Sequence, residues 1–261
     1  MLSEMNCHEE HQTLTSELVQ SFFDCKVCVA LTAYNDQESI FQSVKQFIAQ
    51  KNVVEVVVVD NNSHDETAKQ AKNAGARVVH EEKQGYGYAC IRGLREALTC
   101  EDADMIVLAE GDMTFCARDI YKLLPYATEV DMVVGSRTHS PLVSSDSQLD
   151  WFLLWGNLLL GKLIQMKFLD GKFLGKIRLT DAGCTMKAIR KDSLAKIIDK
   201  FCVGDDHFSP HMVMVALRNG LSVVEVPVNF RKRVGISKGA GQNRKRALGI
   251  GLKMLWHILT F

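Results

Sequence analysis

Short apolar runs alternate along the chain with segments in which apolar residues recur every three or four positions. The short runs are typical of buried strands, and the longer period is typical of helices that cover a sheet. Strands are predicted at residues 26–34, 53–63, 76–82, 104–112, 131–137 and 222–230, and helices at residues 36–50, 65–74, 85–98, 117–126 and 207–219. This alternation predicts an α/β fold with a mainly parallel sheet and helices on both faces.

The second half of the chain departs from this pattern. Residues 138–148 read as a polar loop, residues 149–168 are strongly apolar, and residues 179–192 resume as a strand or loop that enters a helix. The last residues place basic side chains before apolar ones, which predicts an amphipathic helix. No apolar run reaches the roughly 20 residues that span a bilayer, so we predict no membrane-spanning helix.

No repeat or linker divides the chain, so we expect one domain over residues 26–240, with an appendage at residues 1–25 and a basic amphipathic helix at residues 241–261. The N-terminal residues lack the features of a secretory signal, and the eight cysteines are therefore expected to be reduced. The CxxC spacing of Cys25 and Cys28 lies in an apolar, strand-like run, which favours buried thiols over a metal or redox site.

Polar side chains stand at the carboxyl ends of several predicted strands. They are Tyr34, Asp60, Glu110, Asp112 and Arg137. Ligands of parallel sheets bind outside the carboxyl ends of the strands. We therefore expect these side chains to converge on one crevice.

A dinucleotide site of the ordinary kind is excluded. Such a site needs GxGxxG directly after the first strand, but that strand runs into "TAYNDQESI" at residues 32–40. The glycines of "GYGYAC" at residues 85–90 lack the third glycine and follow a later strand, and the chain contains no P-loop motif.

Two carboxylates with a glycine between them end the strand at residues 104–112. Alternation along an extended chain puts Glu110 and Asp112 on the same side, and Gly111 permits a close backbone approach. Mg²⁺ and Mn²⁺ prefer carboxylate oxygens together with phosphate and water oxygens. The pattern therefore predicts a divalent cation that bridges a nucleoside diphosphate.

Formal net charge is zero, with equal numbers of basic and acidic residues, which argues against a nucleic-acid partner bound through overall charge. Residues 231–246 are rich in Lys and Arg and contain no acidic residue, so any polyanion is expected to meet that end. His207 and His211 stand four apart on a predicted helix, a spacing that suits zinc, but a third ligand is not apparent.

Seven motifs stand in an order that resembles the family 2 glycosyltransferases of the GT-A fold, most closely their polyprenyl-phosphate branch of dolichyl-phosphate mannose synthase type. The motifs are "TAYNDQESI" (32–40), "VVVVDNNSHDET" (56–67), "KQGYGYACIRGL" (83–94), "AEGDMTF" (109–115), "VVGSR" (133–137), "DAGCTMKAIRKD" (181–192) and "VPVNFRKRVGISK" (226–238). The resemblance covers roughly residues 26–240 and implies a Rossmann-like GT-A sheet followed by the C-terminal amphipathic helix.

The resemblance implies a role for each matching position. The nucleotide-sugar site would comprise Ala33, Tyr34, Asp36, Asp60, Asn61, Lys83, Gly87, Glu110 and Gly111. The metal, Mg²⁺ or Mn²⁺, would be held by Asp112, Glu110 and Thr114. The acceptor and phosphate groups would be bound by Arg137, Asp181, Arg231, Arg233, Ser237 and Lys238. Catalysis would depend on Asp112 and Arg137, with Asp206 as the base where the acceptor needs one.

The activity so implied is inverting transfer of a hexose from a UDP- or GDP-sugar to a polyprenyl-phosphate lipid. Two alternatives stay open: transfer to a glycan or small-molecule hydroxyl with Asp206 as base, and a sugar-nucleotide-binding protein without catalysis. The chain departs from the family at ExD in place of DxD, at Asp60-Asn61, and at His211, where the family often has Glu. Asp205 and Asp206 also fit a plain charge pair at a helix start.

The apolar residues 149–168 and the basic C-terminal helix both suit a membrane interface, with packing against the sheet as the alternative. Because a polyprenyl acceptor must be collected from a membrane, we expect a peripheral protein at the cytoplasmic face. The sequence does not indicate an oligomeric state.

Overall fold

The computed structural model describes residues 24–169, 177–235 and 243–261, and within them the chain forms a seven-stranded sheet. The strands are β1 (Val27–Ala33), β2 (Val53–Asp60), β3 (Arg77–His80), β4 (Met105–Glu110), β5 (Met132–Ser136), β6 (Lys187–Arg190) and β7 (Val223–Pro227). Their spatial order is β3-β2-β1-β4-β6-β5-β7, and β6 runs antiparallel to both of its neighbours. The predicted α/β class with a mainly parallel sheet is confirmed.

Helices cover both faces of this sheet. They are α1 (Ile40–Ile48), α2 (Thr67–Asn73), α3 (Tyr86–Leu98), α4 (Ile120–Ala127), α5 (Trp151–Lys167), α6 (Lys191–Ala195), α7 (Phe208–Arg218) and α8 (Arg244–Thr260). Apolar residues of α1, α2 and α4 form the core on one face, and those of α3, α5, α7 and α8 form the core on the other. Successive β1 residues alternate between these cores, which explains why the whole strand is apolar and buried.

The predicted helix at residues 36–50 begins later than expected, at Ile40. The Tyr34 amide donates to the side chain of Asp36 at 3.0 Å, and Asn35 has a φ of 50°, so the chain turns sharply after β1 before it becomes helical. Short polar side chains compete with helical hydrogen bonds in this way. The turn keeps Asp36 beside the strand ends.

Residues 179–192 were expected to be a strand or a loop entering a helix, and they contain β6 followed by α6. As an antiparallel strand between two parallel ones, β6 starts at the edge of the sheet where its neighbours end. The residues that precede it therefore return to the carboxyl ends of β4 and β5, which adds Asp181, Gly183 and Thr185 to that edge.

Helices α5 and α8 pack against each other and bury only part of their apolar surface. Leu160, Ile164 and Ile258 enter the core, and the Lys167 ammonium donates to the Ile258 carbonyl oxygen at 2.7 Å. The exposed apolar side chains of the pair are Trp151, Trp155, Leu159, Met166, Leu248, Leu252, Trp256 and Leu259. Among the described residues, no helix has both the length and the apolar character needed to cross a bilayer.

Three imidazoles meet where α8 lies on α7. His211 Nδ1 and His257 Nε2 are 3.0 Å apart, and the His207 ring lies 5.0 Å from the His257 ring. Burial, and then the neighbouring imidazoles, lower the pKa of His211 to about 4. Burial also lowers the pKa of His207 and of His257. Neutral histidines therefore favour the contact between these two helices.

We expect the free energy of unfolding to fall as the pH drops from about 6.5 to about 4. A histidine whose pKa is depressed by folding binds fewer protons in the native state than in the unfolded state across that window, so acid favours unfolding. Urea titrations at a series of pH values will measure how steeply the free energy of unfolding changes with pH. This dependence should become shallower in His211→Gln. The exposed His64 provides the control, since His64→Gln should keep the wild-type slope; equal slopes in all three proteins would contradict the assignment.

Candidate donor and metal site

The carboxyl ends of three parallel strands lie side by side. Ala33 of β1 pairs with Asp60 of β2, and Thr32 of β1 pairs with Glu110 of β4. A cavity of about 500 Å³, here called the strand-end cavity, opens at this edge. Its lining includes the predicted residues Ala33, Tyr34, Asp36, Asn61, Glu110, Asp112, Asp206 and Arg233.

A second cavity of about 420 Å³ lies between α5 and α8 and is here called the helix-pair cavity. Most of its lining is apolar and comes from these two helices, whereas Glu110, Asp112, Arg137 and Arg233 form its polar end. The two cavities share Glu110, Asp112 and Arg233, so they meet at the carboxylates.

Asp112 is nearly fully buried and its orientation is fixed by the turn that follows β4. Its Oδ1 accepts hydrogen bonds from the Thr114 amide at 3.0 Å and from the Thr114 hydroxyl at 2.5 Å. A Cβ at Gly111 would lie 2.5 Å from Cδ1 of Ile40, so any larger residue would force that side chain to shift. The absence of a side chain at Gly111 thus allows close packing against Ile40, and the Thr114 hydroxyl orients the Asp112 carboxylate.

Glu110 is half-buried, and its Oε1 accepts a hydrogen bond from the Thr185 hydroxyl at 2.6 Å. Burial, and then the charge of Asp112, raise the pKa of the Glu110 carboxyl to about 7. The buried Asp112 carboxylate, the half-buried Glu110 carboxylate and the Thr114 hydroxyl form a set of hard oxygen donors, which fits Mg²⁺ or Mn²⁺. The assignment of Glu110, Asp112 and Thr114 as ligands stays a prediction.

In the part of the chain that the structure describes, one other group of potential metal ligands comes together, namely Cys28, Glu55 and Cys100. The Arg77 guanidinium already pairs with Glu55 at 2.7 Å. Because both Glu55 oxygens already accept hydrogen bonds from that guanidinium, at 2.7 and 3.2 Å, neither is left for a metal ion.

Arg233 reaches into the strand-end cavity from the segment after β7. One guanidinium nitrogen lies 2.8 Å from Asp36 Oδ1 and the other lies 2.9 Å from Asp112 Oδ2. The segment itself is attached to the turn after β4, because the Arg231 amide donates to the Thr114 carbonyl and the Val234 amide donates to the Asp112 carbonyl. Arg233 therefore contacts the predicted metal ligand directly.

Arg137 and Asp181 form a buried bidentate pair. Nε and Nη2 of Arg137 donate to the two Asp181 oxygens, each at 2.8 Å, and the Arg137 amide adds a third bond at 2.9 Å. Burial works to raise the pKa of Asp181, but the Arg137 charge and these hydrogen bonds outweigh it and lower that pKa. The guanidinium also lies 5.1 Å from the Phe230 ring, at the polar end of the helix-pair cavity.

Several predicted donor residues lie outside the lining of the strand-end cavity. Asp60 is buried beside His80, with Oδ2 and Nδ1 3.2 Å apart, and Lys83 is exposed with its ammonium 5.6 Å from the Tyr88 ring. Gly87 packs on the loop before α7, where a Cβ would lie 2.2 Å from the Val203 carbonyl oxygen. Their assignment to nucleotide binding has no cavity contact to support it.

Asn61, in contrast, lines the cavity and also organises its rim. Its amide nitrogen donates to the carbonyls of Glu81 and Lys83, and its side-chain oxygen accepts from the Gly85 amide at 2.9 Å. The departure at Asp60-Asn61 therefore has a structural use, since an aspartate at position 61 could not donate to these carbonyls.

Among the predicted phosphate-binding residues, Arg137, Asp181 and Arg233 are brought together near the carboxylates. Arg231 is exposed, donates to the Cys116 sulfur at 3.6 Å and lines a separate surface cleft. Ser237 and Lys238 lie outside the described residues. Asp206 lines the strand-end cavity and precedes α7, next to Asp205, whose carboxylate lies 3.6 Å from the Lys253 ammonium of α8.

Three polar residues of the site were not predicted from the sequence. Thr185 holds Glu110, and the buried Lys187 donates to Ser209, whose oxygen lies 2.6 Å away. Burial lowers the pKa of Lys187 to about 8. A lysine in an otherwise apolar strand was the signal in the sequence that could have identified Lys187. Its partner Ser209 lies on α7, which is distant in sequence, and could not be identified in the same way.

Solved structures of other proteins share this fold. Glucosyl-3-phosphoglycerate synthase from Mycobacterium tuberculosis, in complex with Mn²⁺, uridine diphosphate and phosphoglyceric acid, aligns with a TM-score of 0.66 at 16% identity. The alignment covers 94% of this chain and 81% of that one. A second structure of that enzyme, with Mg²⁺ and uridine diphosphate, aligns with a TM-score of 0.63. These likenesses confirm the expected GT-A fold.

Relatives at the level of sequence cover most of the chain. Polyprenol monophosphomannose synthase of Mycolicibacterium smegmatis is 26% identical over 238 residues, which is 85% of this chain and 84% of that protein. Undecaprenyl-phosphate mannosyltransferase of Micrococcus luteus is 27% identical over 229 residues, or 83% of this chain and 88% of that protein. Dolichyl-phosphate hexose transferase of Haloferax volcanii is 26% identical over 216 residues, which is 81% of this chain and 86% of that protein.

The model of the family described as Glycosyl transferase family 2 matches residues 28–198. That range contains β1 to β6, the ExD carboxylates and the Arg137–Asp181 pair, so the match includes the strand ends where the cavities meet. The chain belongs to glycosyl transferase family 2 and is a glycosyltransferase.

Proposed function

We propose that the protein transfers a hexose, with inversion, from a UDP- or GDP-sugar to a polyprenyl-phosphate lipid, and that it uses Mg²⁺ or Mn²⁺. The observation that carries this proposal is the junction of the two cavities. A polar cavity at the strand ends and an apolar cavity between α5 and α8 meet at Glu110, Asp112 and Arg233. A sugar nucleotide fits the first cavity by its chemistry, and an isoprenoid chain fits the second.

The roles of the residues follow from this arrangement. Glu110 and Asp112 would hold the cation, which neutralises charge on the departing diphosphate. Arg233 at the junction and Arg137 at the polar end of the helix-pair cavity would orient phosphate oxygens, because a planar guanidinium binds such groups with two parallel hydrogen bonds. The acceptor phosphate oxygen attacks C1 of the sugar from the side opposite the diphosphate. Because this oxygen is already anionic, no base is needed.

We also propose that the protein binds the cytoplasmic face of a membrane peripherally, through α5 and α8. Side chains of Trp151, Trp155 and Trp256 are 62–70% exposed on these helices. Basic residues at the start of α8 and exposed tryptophans are the combination that favours an anionic interface. The helix-pair cavity lies between these helices and would face the lipid acceptor there.

A radiolabelled-sugar assay tests this function. The protein is incubated with a panel of UDP- and GDP-hexoses and a membrane lipid extract, with Mn²⁺, with Mg²⁺ or with EDTA. We expect label in the organic phase with one donor of the panel, and loss of that label with EDTA. A complete absence of labelled lipid with every donor and both metals would rule out the lipid acceptor.

The membrane contact is tested in the same assay by the double variant Trp155→Glu/Trp256→Glu. Neither side chain lines the helix-pair cavity, so transfer to an acceptor dissolved in detergent should persist. Transfer to the same acceptor embedded in anionic vesicles should drop. The exposed Tyr126 on α4 supplies the matched control, since Tyr126→Glu should behave like wild type in both assays.

A second candidate is transfer to a hydroxyl group, and the position of Asp206 in the strand-end cavity favours it. A hydroxyl acceptor must lose its proton as it attacks, and Asp206 would accept that proton. The variant Asp206→Asn separates the two functions. It should abolish transfer to a hydroxyl and barely change transfer to a phosphate.

A further inference from the structure

Arg233 is enclosed by buried acid groups. Its side chain is 14% exposed, and the side chains of its partners Asp36 and Asp112 are 5% and 2% exposed. Glu110 also lies close enough to affect it electrostatically. The guanidinium therefore supplies positive charge to the same group of carboxylates that would hold a divalent cation.

The oxygens of Asp112 divide between two partners. Oδ1 accepts both hydrogen bonds from Thr114, whereas Oδ2 faces Arg233 at 2.9 Å. A divalent ion bound to Oδ2 would lie about 2.1 Å from that oxygen and hence within roughly 5 Å of the guanidinium nitrogen. Like charges at that separation in a buried site repel strongly, so Arg233 and the ion compete for one carboxylate.

The segment that carries Arg233 is fixed by its backbone. The Arg231 and Val234 amides donate to carbonyls of the turn after β4, at 2.8 and 3.1 Å. If Arg233 changes its partners, its side chain therefore moves while the backbone of the segment stays in place. The Nε of Arg233 is buried without a hydrogen-bond partner in the described part of the chain, although a buried donor without an acceptor is costly. An anionic oxygen beside this nitrogen would satisfy it.

We propose that Arg233 competes with the divalent cation for Asp112 and is drawn from that carboxylate by the diphosphate of the donor. The cation then binds tightly only together with a nucleoside diphosphate. The inference rests on the proposed function, because it requires a donor with a diphosphate. It adds that Arg233 is a positioning residue that couples the two binding events.

Binding of Mn²⁺ alone provides the measurement, with free Mn²⁺ detected by electron paramagnetic resonance. We expect Arg233→Gln to bind Mn²⁺ about tenfold to a hundredfold more tightly than wild type when no nucleotide is present, a typical range for coupling between sites. Addition of UDP or GDP should tighten Mn²⁺ binding strongly in wild type and much less in Arg233→Gln.

Two further variants control for charge and for folding. Lys232→Gln removes the same charge from the neighbouring, exposed position, where the ammonium lies 3.8 Å from Asp146, and should bind Mn²⁺ like wild type. Arg233→Lys keeps the charge at the site and should retain weak Mn²⁺ binding in the absence of nucleotide. Thermal unfolding of each variant verifies that it is folded.

Equal Mn²⁺ affinity of wild type and folded Arg233→Gln, or weaker binding by the variant, would overturn the proposal. This outcome is separate from a failure of the proposed function, because the measurement requires neither an acceptor nor sugar transfer. If no protein bound Mn²⁺ even with UDP or GDP, both the competition and the metal-dependent function would be wrong.

Discussion

Asp112→Asn is expected to lower the rate of sugar transfer by about a hundredfold to a thousandfold, the usual effect of removing one preorganised electrostatic contact from a transition state. The asparagine can keep the shape of the side chain and an acceptor for the Thr114 hydrogen bonds. It loses the negative charge that would hold the cation against the diphosphate. The loss should therefore appear in kcat/KM without a matching loss of folded protein.

The measurement is the radiolabelled transfer assay at saturating Mn²⁺, with circular dichroism to verify folding. Asp102 is a suitable control, because its side chain is 77% exposed and pairs with Lys26, remote from the carboxyl ends of the strands. Asp102→Asn should transfer sugar at the wild-type rate. A folded Asp112→Asn that retained more than about a tenth of the activity would remove this carboxylate from the catalytic set.

Asp181→Asn is expected to reduce the free energy of unfolding by about 3–5 kcal/mol. The variant leaves the Arg137 guanidinium buried without its counter-charge, and a buried ion that has lost its partner carries its full desolvation cost. Both members of the pair are almost enclosed, with side chains 12% and 2% exposed. Urea unfolding at neutral pH measures the change directly.

A surface pair gives the comparison. Asp199 is 89% exposed and pairs with Arg95 at 3.4 Å, so Asp199→Asn should cost less than about 1 kcal/mol. In the double variant Arg137→Gln/Asp181→Asn the loss should be smaller than the sum of the two single losses, because no unpaired charge remains. Additive losses would mean that the two side chains stabilise the fold independently.

The framework of the sheet was predictable because its signals are local. Each of the strands β1, β2 and β4 is a mostly apolar run with a polar residue at its end or directly after it, and the parallel order then brings those ends to one edge. This is why Tyr34, Glu110 and Asp112 could be assigned to one cavity from the sequence. The family motifs assigned Arg137 and Asp181 to the same acceptor site, but they did not predict the ion pair between them.

The contacts that sequence reasoning missed depend on pairing between distant segments. Thr185 reaches Glu110 because β6 runs antiparallel, and an apolar run alone does not encode strand direction. The contact between Arg233 and Asp112 spans more than a hundred residues, and Arg231, two positions earlier, points to a different cleft. Periodicity identifies neither the partner of a basic side chain nor the cavity that it lines.

A short motif also does not reveal the packing contacts of the residues to which it assigns a function. Gly87 belongs to a glycine-rich turn, but its lack of a side chain accommodates the Val203 carbonyl. The two helices proposed to contact the membrane, α5 and α8, combine both interpretations of the sequence, because each buries one set of apolar residues and exposes another. A hydrophobicity pattern does not distinguish a helix that is half covered from one that is fully packed.

The wall that the two cavities share has a consequence for side reactions. Ile250 and Met254 of α8 line both cavities next to Glu110 and Asp112. A hydrocarbon chain in the helix-pair cavity would displace solvent from the sugar carbon, whereas an unfilled one would leave that carbon open to attack by water. Wasteful breakdown of the donor into free sugar should therefore be fastest when lipid is scarce, and should decline as the acceptor approaches saturation.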